Sequence, residues 1–356
     1  MEKKNIKVRF AAINPRTETF IEDAIERNDG RKSYVTWGSR NTFPDYLCTL
    51  RKSSATLGSI INGSVDYVAG DEVRSNIGKD KLNKKGETAT DIVRQMAKNY
   101  FTYGGFALQA IRANDGTIAE VYVLDLRYVR SDKDNELFFY SEEWQNARAK
   151  NEKYPRFVPE FTEIPTAVHY VKNDDTQVYP EPLYVGAIVS AEIERNIDQF
   201  HLNTINNGFM GSYVVNFNNG VPEDEVKDEI EKMVNAKFAG AGNAGRIMIT
   251  FNDTQDTAVT VNKLEMDDYG DKYDTMEQNV KQKLFTSFRA NPNLFGIPTA
   301  QGFNSEEYES AFKLYNRTQI QPVQDKIVDA LDYIYGMKGS ITITPFSLER
   351  ATTNIE

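Results

Sequence analysis

The chain has 356 residues, of which 40% are hydrophobic and 12% aromatic, enough for more than one folding unit around a sizeable core. A formal net charge of -10 argues against a protein that wraps or grips nucleic acid, because affinity for phosphates comes largely from clustered Lys and Arg. A single cysteine, Cys48, excludes an intrachain disulfide; Met1-Glu2-Lys3-Lys4-Asn5-Ile6-Lys7 lacks the apolar centre of a secretory signal, and no run of about twenty apolar residues is present to span a membrane.

Residues 1 to about 50 are mixed and polar, and Trp37-Gly38-Ser39-Arg40-Asn41 with Phe43-Pro44 reads as loop or strand ends. Leu57, Ile60, Ile61, Val65 and Val68 recur at three and four, which predicts a helix over 54–68 that stops at Gly70-Asp71. A Lys-rich connector over 79–87 leads to a second helix, 90–100, broken by Tyr103-Gly104-Gly105. Strands are expected at 106–112 and 118–124, joined by Asn114-Asp115-Gly116, a turn whose glycine accepts positive φ between two apolar runs. Short strands at 137–140 and 168–171 complete an α+β domain that Tyr179-Pro180-Glu181-Pro182 closes.

A long helix follows over 183–207, with Val185, Val189, Ile193, Ile197, Phe200 and Ile205 on its apolar side. Residues 209–265 read as a compact insertion. It holds a strand at 213–217, a helix at 222–238 with Glu223, Asp224 and Glu225 in its dipole-favoured first turn, and strands at 247–251 and 258–264. A further long helix carries Tyr269, Tyr273, Met276, Val280, Leu284 and Phe288. It ends in the loop from Ala290 to Phe303, where Pro292, Gly296, Pro298 and Gly302 cannot continue a helix. Asn304 is placed to cap the next helix, with Glu307 reaching back, and an apolar stripe from Tyr308 to Ile334 is interrupted once, by Pro322.

Motifs for chemistry are weak. Gly240-Ala241-Gly242-Asn243-Ala244-Gly245 matches G-x-G-x-x-G, yet a dinucleotide site needs a strand before it and a helix after it, and here the order is reversed. A helix cap and turn accounts for it. His169 and His201 are far apart and too few for a metal site, and each reads as structural. Cys48, with no basic partner evident nearby, reads as a buried inert thiol, and the acidic pairs Asp267-Asp268 and Glu306-Glu307 as solvated helix starts. No catalytic residue, metal ligand or cofactor is expected.

In element order and in several motifs the chain resembles the portal proteins of tailed bacteriophages. The matching residues are Leu57-Gly58-Ser59-Ile60-Ile61 with Tyr67-Val68-Ala69-Gly70, Tyr103-Gly104-Gly105-Phe106-Ala107, Tyr179-Pro180-Glu181-Pro182, Phe200-His201-Leu202-Asn203 and Asn206-Asn207-Gly208. They continue through the run from Ala239 to Arg246, Asn293-Leu294-Phe295-Gly296-Ile297 and Ile320-Gln321-Pro322-Val323-Gln324, a succession covering roughly residues 50 to 335. Little follows Ile341-Thr342-Ile343-Thr344, so a helical C-terminal crown is not expected.

The resemblance implies a portal-protein fold of class α+β. Residues 1–180 would be the wing, 181–208 and 266–292 two long stem helices, and 209–265 a small βαββ clip. Residues 293–304 would be a tunnel loop and 305–356 a kinked wing helix with a short C-terminal segment. It implies no enzyme but a ring of about twelve copies at one capsid vertex of the virion, assembled in the host cytoplasm. Double-stranded DNA would pass through it without sequence specificity, and a terminase large subunit, a head-tail adaptor, and major capsid and scaffolding proteins would be its partners, with no membrane. Asn293, Thr299, Ala300, Gln301, Gly302, Phe303 and Asn304 would face DNA, Lys237, Asn243 and Arg246 would dock partners at the clip, and Pro322 would kink the helix. The uncharged loop and a charge of -10 repeated round a ring suit sliding passage, since each Lys or Arg contact adds phosphate affinity. Two other readings stand beside this one: another phage head-tail connector or capsid component, and, on the Gly240–Gly245 motif, a nucleotide-binding enzyme.

Overall fold

The structure, a computed structural model, describes residues 25–26, 34–38, 40–146, 150–160, 163–173, 177–206, 213–217, 223, 225–229, 247–251, 269–297 and 305–347. The chain forms two units: Met1–Val189 with Leu284–Glu356, and Ser190–Lys283.

In the first unit a two-residue strand β1 (Ile25–Glu26) pairs with β2 (Val35–Thr36) ahead of helix α1 (Phe43–Ser53). The expectation of loop or strand ends around Phe43-Pro44 is therefore corrected: Pro44 stands in the first turn, where a missing N–H costs nothing. Asp45 in that turn and Arg51 and Lys52 in the last match the helix dipole. Helix α2 (Ala55–Ala69) starts where the Ser54 hydroxyl accepts from Leu57 N–H at 3.2 Å, and it buries Leu57, Ile60, Ile61, Val65 and Val68. Strand β3 (Glu72–Ser75) leads by way of the connector to α3 (Ala89–Tyr103), which begins with a reciprocal Thr88–Asp91 capping box. It stops at Gly104, φ 89°, where a Cβ would lie 1.9 Å from the Glu181 carbonyl oxygen, so only glycine fits.

Strands β4 (Gly105–Arg112) and β5 (Ile118–Leu124) form the hairpin that Asn114-Asp115-Gly116 predicts. After β6 (Val129–Ser131), β7 (Leu137–Tyr140) and β8 (Glu152–Pro155), strand β9 (Thr166–Lys172) returns to the other edge of β4. Two antiparallel three-stranded sheets result, in the orders β5-β4-β9 and β6-β7-β8. The core also holds Arg130, fully buried. Its guanidinium donates to Asn41 Oδ1 and, at 2.8 to 2.9 Å, to the carbonyls of Arg127, Val129 and Asn41, with the Trp144 ring 4.9 Å away.

Helix α4 (Ile188–Asn206) leaves this unit and α5 (Tyr269–Ser287) returns to it. Among the described residues of the second unit, strands β10 (Tyr213–Phe217) and β11 (Ile247–Phe251) pair in parallel, and residues 225–229 are helical. A parallel pair needs a crossover connection, and that helical stretch lies in it. The expected strand 258–264 and the Gly240–Gly245 motif lie outside the described residues.

Back in the first unit, α6 (Ser305–Tyr315) runs through one π turn, Asn316–Ile320, into α7 (Gln321–Tyr335). Strand β12 (Ile341–Thr344) then pairs antiparallel with β3. No helix among the described residues is long and apolar enough to cross a membrane.

Candidate functional site

The loop that separates α5 from α6 is held at its root by local chemistry. Helix α5 ends in two backbone bonds, Arg289 N–H to Thr286 O and Ala290 N–H to Phe285 O, both 3.0 Å. Arg289 is left-handed, φ 51°, a conformation this cap usually reserves for glycine. A 3₁₀ turn, Pro292–Phe295, follows; the Asn291 side chain accepts from Asn293 N–H at 3.0 Å, and Gly296 at φ 76° closes it. Asn293 therefore sits in a rigid turn at the foot of the loop, while Thr299, Ala300, Gln301, Gly302, Phe303 and Asn304 lie outside the described residues.

That foot is clamped by an aromatic cluster. Phe295 is 5.8 Å from Phe285 of α5, 6.0 Å from Tyr67 of α2 and 5.7 Å from Tyr315 of α6, ring centre to ring centre. Tyr67 reaches further, to Phe312 at 5.6 Å and Phe346 at 5.1 Å, and its hydroxyl donates to the Leu294 carbonyl at 2.7 Å. The Tyr315 hydroxyl shares a 2.8 Å hydrogen bond with Ser64, while Gly63 of α2 meets Phe295 so closely that a Cβ there would stand 2.7 Å from the ring. Burial pushes the Tyr67 phenol well above its usual range and that of Tyr315 up to about 12, so both remain neutral donors. The chain thus enters and leaves the loop against one side of α2.

This clamp is what sequence reading missed. Tyr308, Phe312 and Tyr315 stand out as an apolar stripe, but the meeting of Phe312 and Tyr315 with Tyr67 joins segments more than 200 residues apart.

Pro322 is exposed in the first turn of α7, directly after the π turn. Its missing N–H leaves Thr318 O without the ordinary donor, while Gln321 N–H bonds Asn316 O, one residue further back than in an α-helix. The interruption at Pro322 is therefore a widened turn in an otherwise continuous rod. Lys237, Asn243 and Arg246 lie outside the described residues.

Cys48 is buried, as expected, but the expectation that no base lies near it is corrected: Arg51 Nη2 approaches its sulfur at 4.0 Å, one helical turn on. His169 packs on Tyr333 at 4.9 Å, and His201, exposed on α4, lies against Phe200. Among the described residues no group of His, Cys, Asp and Glu is arranged to hold a metal ion.

Comparison with known proteins gives one family. The profile described as "Phage portal protein" matches residues 72–345. No curated protein matches the chain. Among solved structures, a chain from the virion of a native gene transfer agent particle is 14% identical with a TM-score of 0.56, covering 86% of this chain and 84% of that one. A chain from the neck of the native particle, computed with C12 symmetry, is 14% identical with a TM-score of 0.55, covering 86% and 85%. An HK97 family phage portal protein from Corynebacterium diphtheriae is 10% identical with a TM-score of 0.44, covering 86% and 93%. At these identities the first two likenesses are likenesses of fold.

Proposed function

The chain belongs to the phage portal protein family and is a portal subunit of the capsid vertex, and from that premise we propose that about twelve copies close into a ring through which double-stranded DNA is packaged and ejected. The observation that carries the reading is the family match over residues 72–345 together with a loop root gripped by aromatic side chains from α2, α5 and α6. Helices α4 and α5, falling within 181–208 and 266–292, are the stem, and residues 1–180 and 305–356 are the wing. Large apolar side chains stay exposed on the stem, with Phe200 39%, Leu202 51% and Met276 43% accessible, and neighbouring subunits would cover them. The uncharged segment 293–304 is the part that meets DNA, because contact without Lys or Arg adds little salt-dependent affinity. Pro322 and its π turn set the course of the wing helix.

Residues 209–265 are the clip, which takes the terminase large subunit during packaging and a head-tail adaptor afterwards, with Lys237, Asn243 and Arg246 as docking residues. Charge reversal at Lys237 or Arg246 is expected to weaken binding of the packaging ATPase while leaving the circular dichroism spectrum unchanged; unaltered affinity removes that role. The protein acts without catalysis, in the virion, after assembly with capsid and scaffolding proteins in the host cytoplasm.

Negative-stain imaging and light scattering of the purified protein, alone and with scaffold, test the ring directly. Rings with a central hole are the expected result. A strict monomer under every assembly condition would overturn it.

A further inference from the structure

Away from the loop, a cavity of about 300 Å³ opens between the end of α1, the outer face of α3 and the chain after β5. Four cationic side chains line it: Arg51 and Lys52 from α1, Lys98 from α3, and Arg127. One carboxylate, Asp125, lines it too, and it is already committed. It accepts from Arg127 Nε at 2.9 Å and Nη2 at 2.6 Å, and from the Tyr103 hydroxyl at 3.4 Å. The dipole at the end of α1 accounts for Arg51 and Lys52, but not for Lys98, which stands within α3. Partial burial, with the Arg51 guanidinium second, presses the Lys98 ammonium below its usual range, against a smaller opposing pull from Asp125.

Two polar atoms in the same wall have no hydrogen-bond partner. They are Arg51 Nε and the hydroxyl of Thr102, a residue 1% exposed. Both residues line the cavity, so a ligand that accepts from them supplies the partners these buried donors lack. A tetrahedral oxyanion supplies several acceptor oxygens and the missing negative charge together. At about 30 Å³ per water, the cavity has room for a phosphoryl group with several waters or an attached nucleoside.

We propose that this cavity binds a phosphoryl anion, held by Arg51, Lys52 and Lys98 and fixed by the Thr102 hydroxyl. The group comes either from a free nucleotide or from a DNA 5′-phosphate. The site does not rest on ring formation, so either reading can fail alone.

The test is calorimetric titration of the full chain with inorganic phosphate and with dAMP, at ionic strength held constant with sodium chloride. Saturable binding in the micromolar to millimolar range is expected, about tenfold weaker for Lys98→Ala and Arg51→Met and several-fold weaker for Thr102→Val. Thr102→Val removes a hydroxyl that has no partner, so this variant is expected to unfold no earlier than the parent. A hydroxyl with a structural role would give the opposite stability and leave affinity untouched. If Arg51→Met fails to fold, the exposed Lys98→Ala and the near-isosteric Thr102→Val keep the test decisive. Competition between dAMP and a 5′-phosphorylated oligonucleotide assigns the anion to DNA ends, and dAMP binding without competition assigns it to a free nucleotide. Absence of saturable binding overturns the proposal, as does binding unchanged in both Lys98→Ala and Thr102→Val. Lost self-assembly in Lys98→Ala with no phosphate binding also overturns it, giving the cavity to an acidic segment of a second copy.

Discussion

His169 shows how a residue of catalytic type becomes structural. It faces Tyr333 from β9, and burial, followed by the nearby Arg156 charge, lowers its imidazole to about 4. Because the folded value is depressed, the unfolded chain binds the proton first on acidification; stability is intact above about 6.5 and is lost as pH falls from there toward 4. At pH 4.5 the loss from this one group is about 2–3 kcal/mol. His169→Phe keeps an aromatic ring against Tyr333 and removes the proton site, so urea midpoints at pH 7.5 and 4.5 are expected to differ less in the variant than in the parent. An equal difference would mean that carboxylates carry the whole pH dependence. Arg130 is the opposite case, a charge kept in the core by carbonyls, Asn41 and an indole ring rather than by a carboxylate. Nothing in its local sequence announces this, because Asn41 and Trp144 reach it only through the fold.

Among the elements, those built from neighbours in sequence were readable. The hairpin over β4 and β5 follows from Asp115-Gly116, and α2 and α3 from their apolar periods, with the stop at Gly104 visible in the letters themselves. Helix α1 was missed because Pro44 imitates a loop residue, and β3 because it draws its pairing from a distant segment. For the loop, the residues that cannot continue a helix were evident, but the clamp on α2 was not, since Gly63 looks like an ordinary weak spot in a helix. Propensity alone would favour Gly63→Ala by about 1 kcal/mol. The Phe295 ring, 2.7 Å from the new Cβ and wedged among three other rings, decides the sign the other way. Gly63→Ala is expected to destabilise by roughly 1–2 kcal/mol, read by chemical denaturation. A gain in stability would show that the foot of the loop yields freely.

At the scale of the molecule, one unit is assembled from both flanks of the other, since residues 284–356 complete what residues 1–189 begin. The foot of the loop belongs to the unit that includes α2, not to the excursion through 190–283. Deleting residues 299–303 is therefore expected to leave rings intact under the microscope while impairing DNA packaging or retention in an assembly assay. Loss of the rings themselves would make the loop a building element rather than a contact with DNA.

The ladder between β3 and β12 has a consequence in time. It joins Glu72–Ser75 to Ile341–Thr344, some 270 residues later, and Asp71 and Asn76 extend it with backbone bonds to Thr344 and Ser340. A ribosome must therefore release the chain through Thr344 before β3 acquires its mate. Until then that edge stays open to mispairing, with a sister chain as readily as with its own.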